Sequence, residues 1–338
     1  MNNKIHKRKI PITVITGFLG SGKTTLLNHI LNTNQDLNIG VVVNDFGDIN
    51  IDSKLVKSKT DKQLELTSGC ICCSLKTLDL QEAIDQFTTP DSKIDYIIIE
   101  ASGLSEPRDL ALTLRDTIGI GVKLDSIVSV IDAKNISNNA HANQTATDQI
   151  LFSDFVIINK IDLISKAKLS DIEKLVTSIN AKARILKTIN CSIDIRYILS
   201  QGINPRRDRP KHKNTSNHTD HLHEKYSHFS WESEKPLHPM AFQEFVNSKL
   251  PKTVYRAKGF VDFHKKGHLR KYIFQLVGSR AEITWDNWHN QSPKTQLVFI
   301  GRSLDKDKII SELRSCIDPS PDSDLGNGIE LRLPKRHQ

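Results

Sequence analysis

The sequence predicts an α/β chain: a mostly parallel sheet with helices on both faces, followed by a smaller α+β domain. Three observations predict it. Apolar runs rich in β-branched residues alternate with stretches of helical periodicity through the first two hundred or so of the 338 residues. Polar, often glycine-bearing segments follow those runs, and the carboxyl ends of parallel strands are where such sheets bind ligands. The composition then changes across residues 201–225, after which shorter strand patterns begin again.

The first element is a strand at residues 10–16, Ile-Pro-Ile-Thr-Val-Ile-Thr. It leads into Gly17-Phe18-Leu19-Gly20-Ser21-Gly22-Lys23-Thr24-Thr25, which fits G-x-x-x-x-G-K-[ST], and a helix with an apolar face follows. Strand, loop and helix in that order make a P-loop, and so a P-loop NTPase sheet. Gly17, Gly20 and Gly22 let the backbone curl around phosphates; Ser21, Thr24 and Thr25 lie on the same loop and helix start. Lys23 reaches the β- and γ-phosphates, and the Thr24 hydroxyl ligates Mg²⁺.

Further strands are expected at residues 39–43, 64–66, 94–100, 124–132, 155–158 and 184–188. Helical periodicity ends near Phe87, and helices are expected at 145–151 and 169–180. Asp95 falls within or at the start of its strand and Glu100 at its carboxyl end.

Residues 1–200 thus form the P-loop domain, and 201–225 a basic, His-rich linker with Pro205, Arg206, Arg207, Arg209 and Pro210. Residues 226–318 form the second domain, with strands at 229–231, 254–263, 272–277 and 296–300, and helices at 240–250 and 305–316. A βαββαβ order is expected there. Residues 319–338 read as a polar, poorly ordered tail.

Hydrophobic and charged fractions are ordinary for a soluble protein, and no apolar run is long enough to span a bilayer. The basic start lacks the apolar region of a signal peptide, so the chain is read as cytoplasmic, with no membrane partner. A net charge of +8 is compatible with a polyanion partner, but no nucleic-acid module is present and such a partner is not expected. Of five cysteines, Cys70, Cys72 and Cys73 crowd into four positions, a poor disulfide framework and a good thiolate site. Cys191 and Cys316 read as isolated core residues.

Asn159-Lys160-Ile161-Asp162 fits N-K-x-D at a strand end. The Asp162 carboxylate would accept from N1–H and the 2-amino group of guanine, a donor pair that adenine lacks, so the nucleotide is GTP. Glu100-Ala101-Ser102-Gly103 stands where a Walker-B and switch segment belongs. Glu100 would hold Mg²⁺ or orient the attacking water, which makes it catalytic together with Lys23, and Gly103 would offer an N–H to the γ-phosphate. Cys70, Cys72 and Cys73 can wrap a soft or borderline ion, Zn²⁺ or Co²⁺, with one position open. In the linker His218, His221 and His223 could capture metal weakly.

Taken in order, the P-loop, Asn44-Asp45-Phe46-Gly47, Gly69-Cys70-Ile71-Cys72-Cys73, Glu100 to Pro107, Asn159-Lys160-Ile161-Asp162 and Val254-Tyr255-Arg256-Ala257-Lys258-Gly259-Phe260 resemble the CobW-type P-loop GTPases, a metallochaperone family. The resemblance covers nearly the whole chain except the tail. It implies Mg²⁺-dependent GTP hydrolysis, loading of a transition metal at the cysteines, and its delivery to a client metalloprotein. Asp45 departs from the Glu common in that family. A zinc-buffering protein with a nucleotide-controlled conformation is the alternative. A phosphoryl transferase is disfavoured by N-K-x-D, and an RNA-associated GTPase has little to support it beyond the charge.

Overall fold

The computed structural model describes residues 9–33, 37–44, 63–66, 84–89, 91–101, 121–136, 144–200, 226–263, 270–288, 291–319 and 331–333. The chain divides into two units, Met1–Gln201 and Gly202–Gln338.

In the first unit the elements run β1 (Ile10–Thr16), α1 (Lys23–Thr33), β2 (Ile39–Asn44), β3 (Gln63–Leu66), β4 (Tyr96–Glu100), β5 (Val122–Asp132), α2 (Gln144–Leu151), β6 (Phe155–Asn159), α3 (Lys166–Ile179) and β7 (Arg184–Lys187). They form a seven-stranded sheet in the order β3-β2-β4-β1-β5-β6-β7. Every pairing is parallel. Covered on both faces, β4 and β6 are buried at every position, which is why they read as unbroken apolar runs. α1 packs on β1 and β4. α2 and α3 bury Ile150, Ile172 and Val176 against Ile131, Val156 and Ile158 of the strands. Ser165 caps α3, its Oγ accepting from the Lys168 N–H at 3.2 Å.

Asp95 does not join its strand. It precedes β4, half-buried, and its Oδ2 accepts from the N–H and Nδ2 of Asn38 at 3.3 Å. A buried polar network lies inside the sheet. Thr13 Oγ1 shares hydrogen bonds with Tyr96 Oη at 2.7 Å and Ser126 Oγ at 2.9 Å. The Tyr96 hydroxyl donates to Asp125. The same Asp125 accepts from the Ser200 N–H at 3.0 Å, and Ser126 Oγ donates to Ile198 O at 3.0 Å. The last residues of the first unit are therefore fixed by groups buried beneath its strands.

The second unit contains β8 (Tyr226–Ser233), α4 (Pro239–Glu244), β9 (Val254–Asp262), β10 (Arg270–Val277), β11 (Arg280–Asn287), β12 (Thr295–Arg302) and α5 (Lys306–Ser315). A π-helical turn, Phe245–Lys249, ends α4, so the single helix expected over 240–250 is two kinds of turn. The sheet is antiparallel, in the order β11-β10-β9-β12-β8. The order is βαββββα rather than βαββαβ: β11 stands where the second helix was expected, and that helix follows β12 instead. β11 sits at the sheet edge, and Ala281, Ile283 and Trp285 alternate with Glu282, Thr284 and Asp286, a strand period that the sequence reading passed over. The turn before it was legible: Gly278 at φ 59° opens a two-residue connection between the paired Val277 and Arg280.

The core of this unit is aromatic. Phe242 meets Phe274 at 5.2 Å and Phe263 at 5.7 Å between ring centroids, edge to face in both cases. Residues 331–333 depart from the expected loose tail, since Leu331 and Leu333 pack partly buried against this core. Asn247 Nδ2 donates to Arg332 O at 3.0 Å. Among the described residues no helix is long and apolar enough to cross a membrane.

Gly259 explains one residue of the Val254–Phe260 motif. A Cβ there would stand 1.8 Å from Gln296 O on β12. The obstacle is backbone and cannot move aside cheaply. Gly259→Ala should therefore destabilise the chain by at least ~1–3 kcal/mol in chemical denaturation followed by far-UV circular dichroism. An unchanged midpoint would show that β9 and β12 can separate locally.

Candidate nucleotide and metal site

The parallel register places the carboxyl ends of β1, β4, β5 and β6 along one edge of the sheet. Gly17 leaves β1 at φ 136°, and a Cβ would lie 2.1 Å from Val130 O on β5. Gly22, at φ 115°, has Asn159 Nδ2 2.5 Å and Cys191 Sγ 3.1 Å from where its Cβ would be. Both positions therefore exclude a side chain on conformation and on space. Lys23 starts α1 and its ammonium turns back over the loop, 3.4 Å from Phe18 O. Thr25 is exposed on the first turn.

Thr24 Oγ1 donates to Glu100 Oε1 at 2.8 Å. Glu100 is 2% exposed at the end of β4, directly beside β1 in the register. The structure thus brings together a hydroxyl at the start of α1 and the carboxylate that ends β4. Two oxygen donors of this kind fit Mg²⁺, which takes one or two protein oxygens and keeps water and phosphate for the rest.

The N-K-x-D segment contacts the same loop. Asn159 Nδ2 donates to Ser21 O at 2.9 Å, and its Oδ1 accepts from the Cys191 N–H at 3.0 Å. Lys160 takes a left-handed conformation, φ 61°, and its ammonium donates to Gly20 O and to Asp132 Oδ2, both at 2.8 Å. Asp162 stands exposed in the following 3₁₀ turn, Ile161–Leu163, its carboxylate open to a ligand.

Two residues of this site escaped the sequence reading. Asp132, at the end of β5, accepts from the Lys134 N–H at 2.8 Å and Asn135 Nδ2 at 3.1 Å as well as from Lys160. Burial pushes its carboxyl up, but the Lys160 ammonium and the Lys134 N–H outweigh that and hold it below the usual carboxylate range. The signal was its place at a strand end level with Asn159. Cys191, taken as an isolated core residue, sits in the loop after β7 with its thiol donating to Gly22 O at 3.3 Å. No local pattern marks it. Burial pushes that thiol up to about 12 despite nearby Lys160, and burial pushes Cys316 up to about 11. His29 Nε2 donates to Ile193 O at 2.7 Å and ties α1 to the same loop.

Cys70, Cys72, Cys73, Gly103, Asp45, His218, His221 and His223 lie outside the described residues. Among the described residues there is no group of three His, Cys, Asp or Glu able to hold a metal.

The Asp132–Lys160 pair gives a pH prediction. A carboxyl held low in the folded state stabilises above its unfolded value near 3.9, and the contribution disappears as pH falls through the folded value. Asp132→Asn should cost about 1 kcal/mol or less at pH 7 and nothing at the acid end. Urea midpoints measured from pH 7 down to pH 3 check it; a constant gap between the two proteins would remove the ion-pair explanation.

The profile described as CobW/HypB/UreG, nucleotide-binding domain, matches residues 11–187. The profile of the cobalamin synthesis protein cobW C-terminal domain matches 226–317. A zinc-regulated GTPase metalloprotein activator 1 from Dictyostelium discoideum is 36% identical over 234 residues, 58% of this chain and 49% of that protein, so the match spans about half of that relative. A zinc chaperone CobW from Sinorhizobium sp is 28% identical, covering 88% of this chain and 94% of that one. The zinc chaperone YjiA of Escherichia coli K12 is 26% identical, covering 89% and 96% respectively.

Proposed function

Because this chain belongs to the CobW/HypB/UreG family of P-loop GTPases, we propose that it is a GTP-hydrolysing metallochaperone that loads zinc and passes it to a client metalloprotein in the cytoplasm. The observation that carries this reading is the Thr24–Glu100 hydrogen bond of 2.8 Å, in a P-loop that also contacts N-K-x-D. It supports the reading because a hydroxyl and a carboxylate held together in this way suit the metal-bridged end of a triphosphate.

Bound Mg²⁺ would neutralise charge on the phosphate oxygens. The remaining roles belong to the chain. Lys23 grips the β- and γ-phosphates, while Gly17, Gly20, Ser21, Gly22, Thr24 and Thr25 supply the cradle, with Gly103 adding an N–H. Glu100 accepts from Thr24 and orients the attacking water. Asp162 reads the guanine edge. These tasks fall to residues 1–200, with 201–225 as a basic, His-rich linker, 226–318 as the CobW-type C-terminal domain and 319–338 as tail.

Zinc is cargo rather than a resident cofactor. Its ligands are Cys70, Cys72 and Cys73; His218, His221 and His223 collect it weakly. Zinc stands ahead of cobalt because the two relatives matched over most of their length are named zinc chaperones. The other two cysteines, Cys191 and Cys316, hold their protons too tightly to compete. A zinc buffer remains the second reading, and coupling between sites separates the two.

Asp162→Asn should weaken GTP binding ~10- to 100-fold, the loss of a charge-assisted pair, and favour the xanthine nucleotide. Fluorescence titration with labelled GTP and XTP checks this. Equal affinity of the unaltered protein for ATP and GTP would refute the guanine assignment.

Zinc should bind ~5- to 150-fold tighter in the presence of a non-hydrolysable GTP analogue than of GDP, and must reciprocally favour the GTP state. Loading should release protons as the thiols ionise. The measurement is a competitive zinc titration in each nucleotide state, with a Cys70/Cys72/Cys73→Ala control. Equal affinities would leave the buffer reading; tight binding in the triple variant would move the site elsewhere.

A further inference from the structure

Three consecutive carbonyls of the phosphate loop are each bonded by a side chain from the base-reading side. Lys160 Nζ donates to Gly20 O at 2.8 Å, Asn159 Nδ2 to Ser21 O at 2.9 Å, and the Cys191 thiol to Gly22 O at 3.3 Å. A trans peptide is planar, with C=O and N–H on opposite sides, so directing a carbonyl directs the next N–H the other way. The Gly20 carbonyl sets the Ser21 N–H, which turns to Phe18 O at 3.2 Å and closes the loop. The Ser21 and Gly22 carbonyls set the N–H groups of Gly22 and Lys23, away from the side chains that hold them. The geometry points to a second task for this side of the site: Cys191 and Asp132 are positioning residues that aim the phosphate-loop N–H groups, Cys191 directly and Asp132 through Lys160. This rests on the nucleotide-site reading above.

Two features argue that these side chains are used rather than tolerated. Asn190 and Cys191 both take φ 53°, a conformation that glycine adopts without strain. Yet position 191 carries a thiol that is fully buried, protonated and donating to the loop. Its own N–H goes to Asn159 Oδ1, so residue 191 supports two of the three carbonyl bonds. Asp132, meanwhile, is held by the Lys134 N–H and Asn135 Nδ2, a fixed acceptor that draws the Lys160 ammonium into place over Gly20.

A ligand without a base separates this from base recognition. Inorganic pyrophosphate with Mg²⁺ occupies the phosphate loop and cannot touch Asp162. Titration calorimetry of the full chain with pyrophosphate and with GDP should show Cys191→Ala and Asp132→Asn weakening both ligands by the same ~3- to 10-fold, the order expected for losing one orienting hydrogen bond. Cys191→Ser, which keeps a donor, should recover most of the loss. Cys316→Ala, the other buried thiol, should leave both affinities unchanged. In a Lys160→Met background, Asp132→Asn should add nothing, because its effect passes through that ammonium. Loss of GDP affinity with pyrophosphate affinity retained would overturn the proposal and confine these residues to the base. Serine as weak as alanine would overturn it for Cys191 by making the effect one of packing. An unaltered protein that binds neither ligand would refute the nucleotide reading itself, and this proposal with it.

Discussion

Asn159 holds the first unit together at the edge where its chemistry would occur. It is 2% exposed, and its amide donates to Ser21 O while accepting from the Cys191 N–H. One side chain thereby joins the end of β6, the phosphate loop after β1 and the loop after β7. An amide has a donor and an acceptor on one planar group, which a carboxylate or an ammonium does not. Either replacement would leave a buried backbone group without its partner, at a cost of ~1–3 kcal/mol. The parallel sheet makes the junction possible, since β5 alone separates β1 from β6, and β5 and β6 end level at Asp132 and Asn159.

The same junction is where the backbone is under strain. Among the described residues the non-glycine positions with left-handed φ are Lys160, Asn190, Cys191 and Ser303. Three of these four stand around the base-reading loop, each at about 1–2 kcal/mol. Such strain persists where surrounding bonds over-determine it. Here the Lys160 ammonium bonds to Gly20 O and Asp132, and Cys191 bonds to Asn159 and Gly22. Strain and hydrogen bonding together give the loop a defined shape, and on the proposed reading that shape would let Asp162 discriminate between bases with little reorganisation.

Legibility in the sequence followed the range of the physics involved. The strands of the first unit were readable because burial on both faces demands long apolar runs, and the P-loop and N-K-x-D because phosphate and guanine chemistry set residue types at fixed spacing. Glu100 was readable as a carboxylate ending such a strand. β11 was marked by the alternation of Ala281, Ile283 and Trp285 with Glu282, Thr284 and Asp286, but it was passed over because a half-solvated edge strand carries no continuous apolar run. Cys191 and Asp132 were not readable, because their partners Gly22 and Lys160 are distant in the chain and no spacing rule connects them. Leu331 and Leu333 were lost in a charged tail, where two apolar residues carry meaning only once a core exists for them to cover.

The two described thiols bear on the metal as well as on the loop. Soft-metal binding needs thiolates, and a thiol is a ligand in proportion to how readily it ionises. Cys191 and Cys316 are both buried, with their thiols pushed up to about 12 and about 11, and each donates its proton to backbone carbonyls. Ionising either would break those bonds and bury an unpaired charge, so both are committed to the fold. Of the five cysteines, the proposed zinc loading then falls to Cys70, Cys72 and Cys73. Those three fall in sequence between β3 and β4, the strand that ends in Glu100. Under the proposed reading, the two buried thiols would not compete with these three for the same ion.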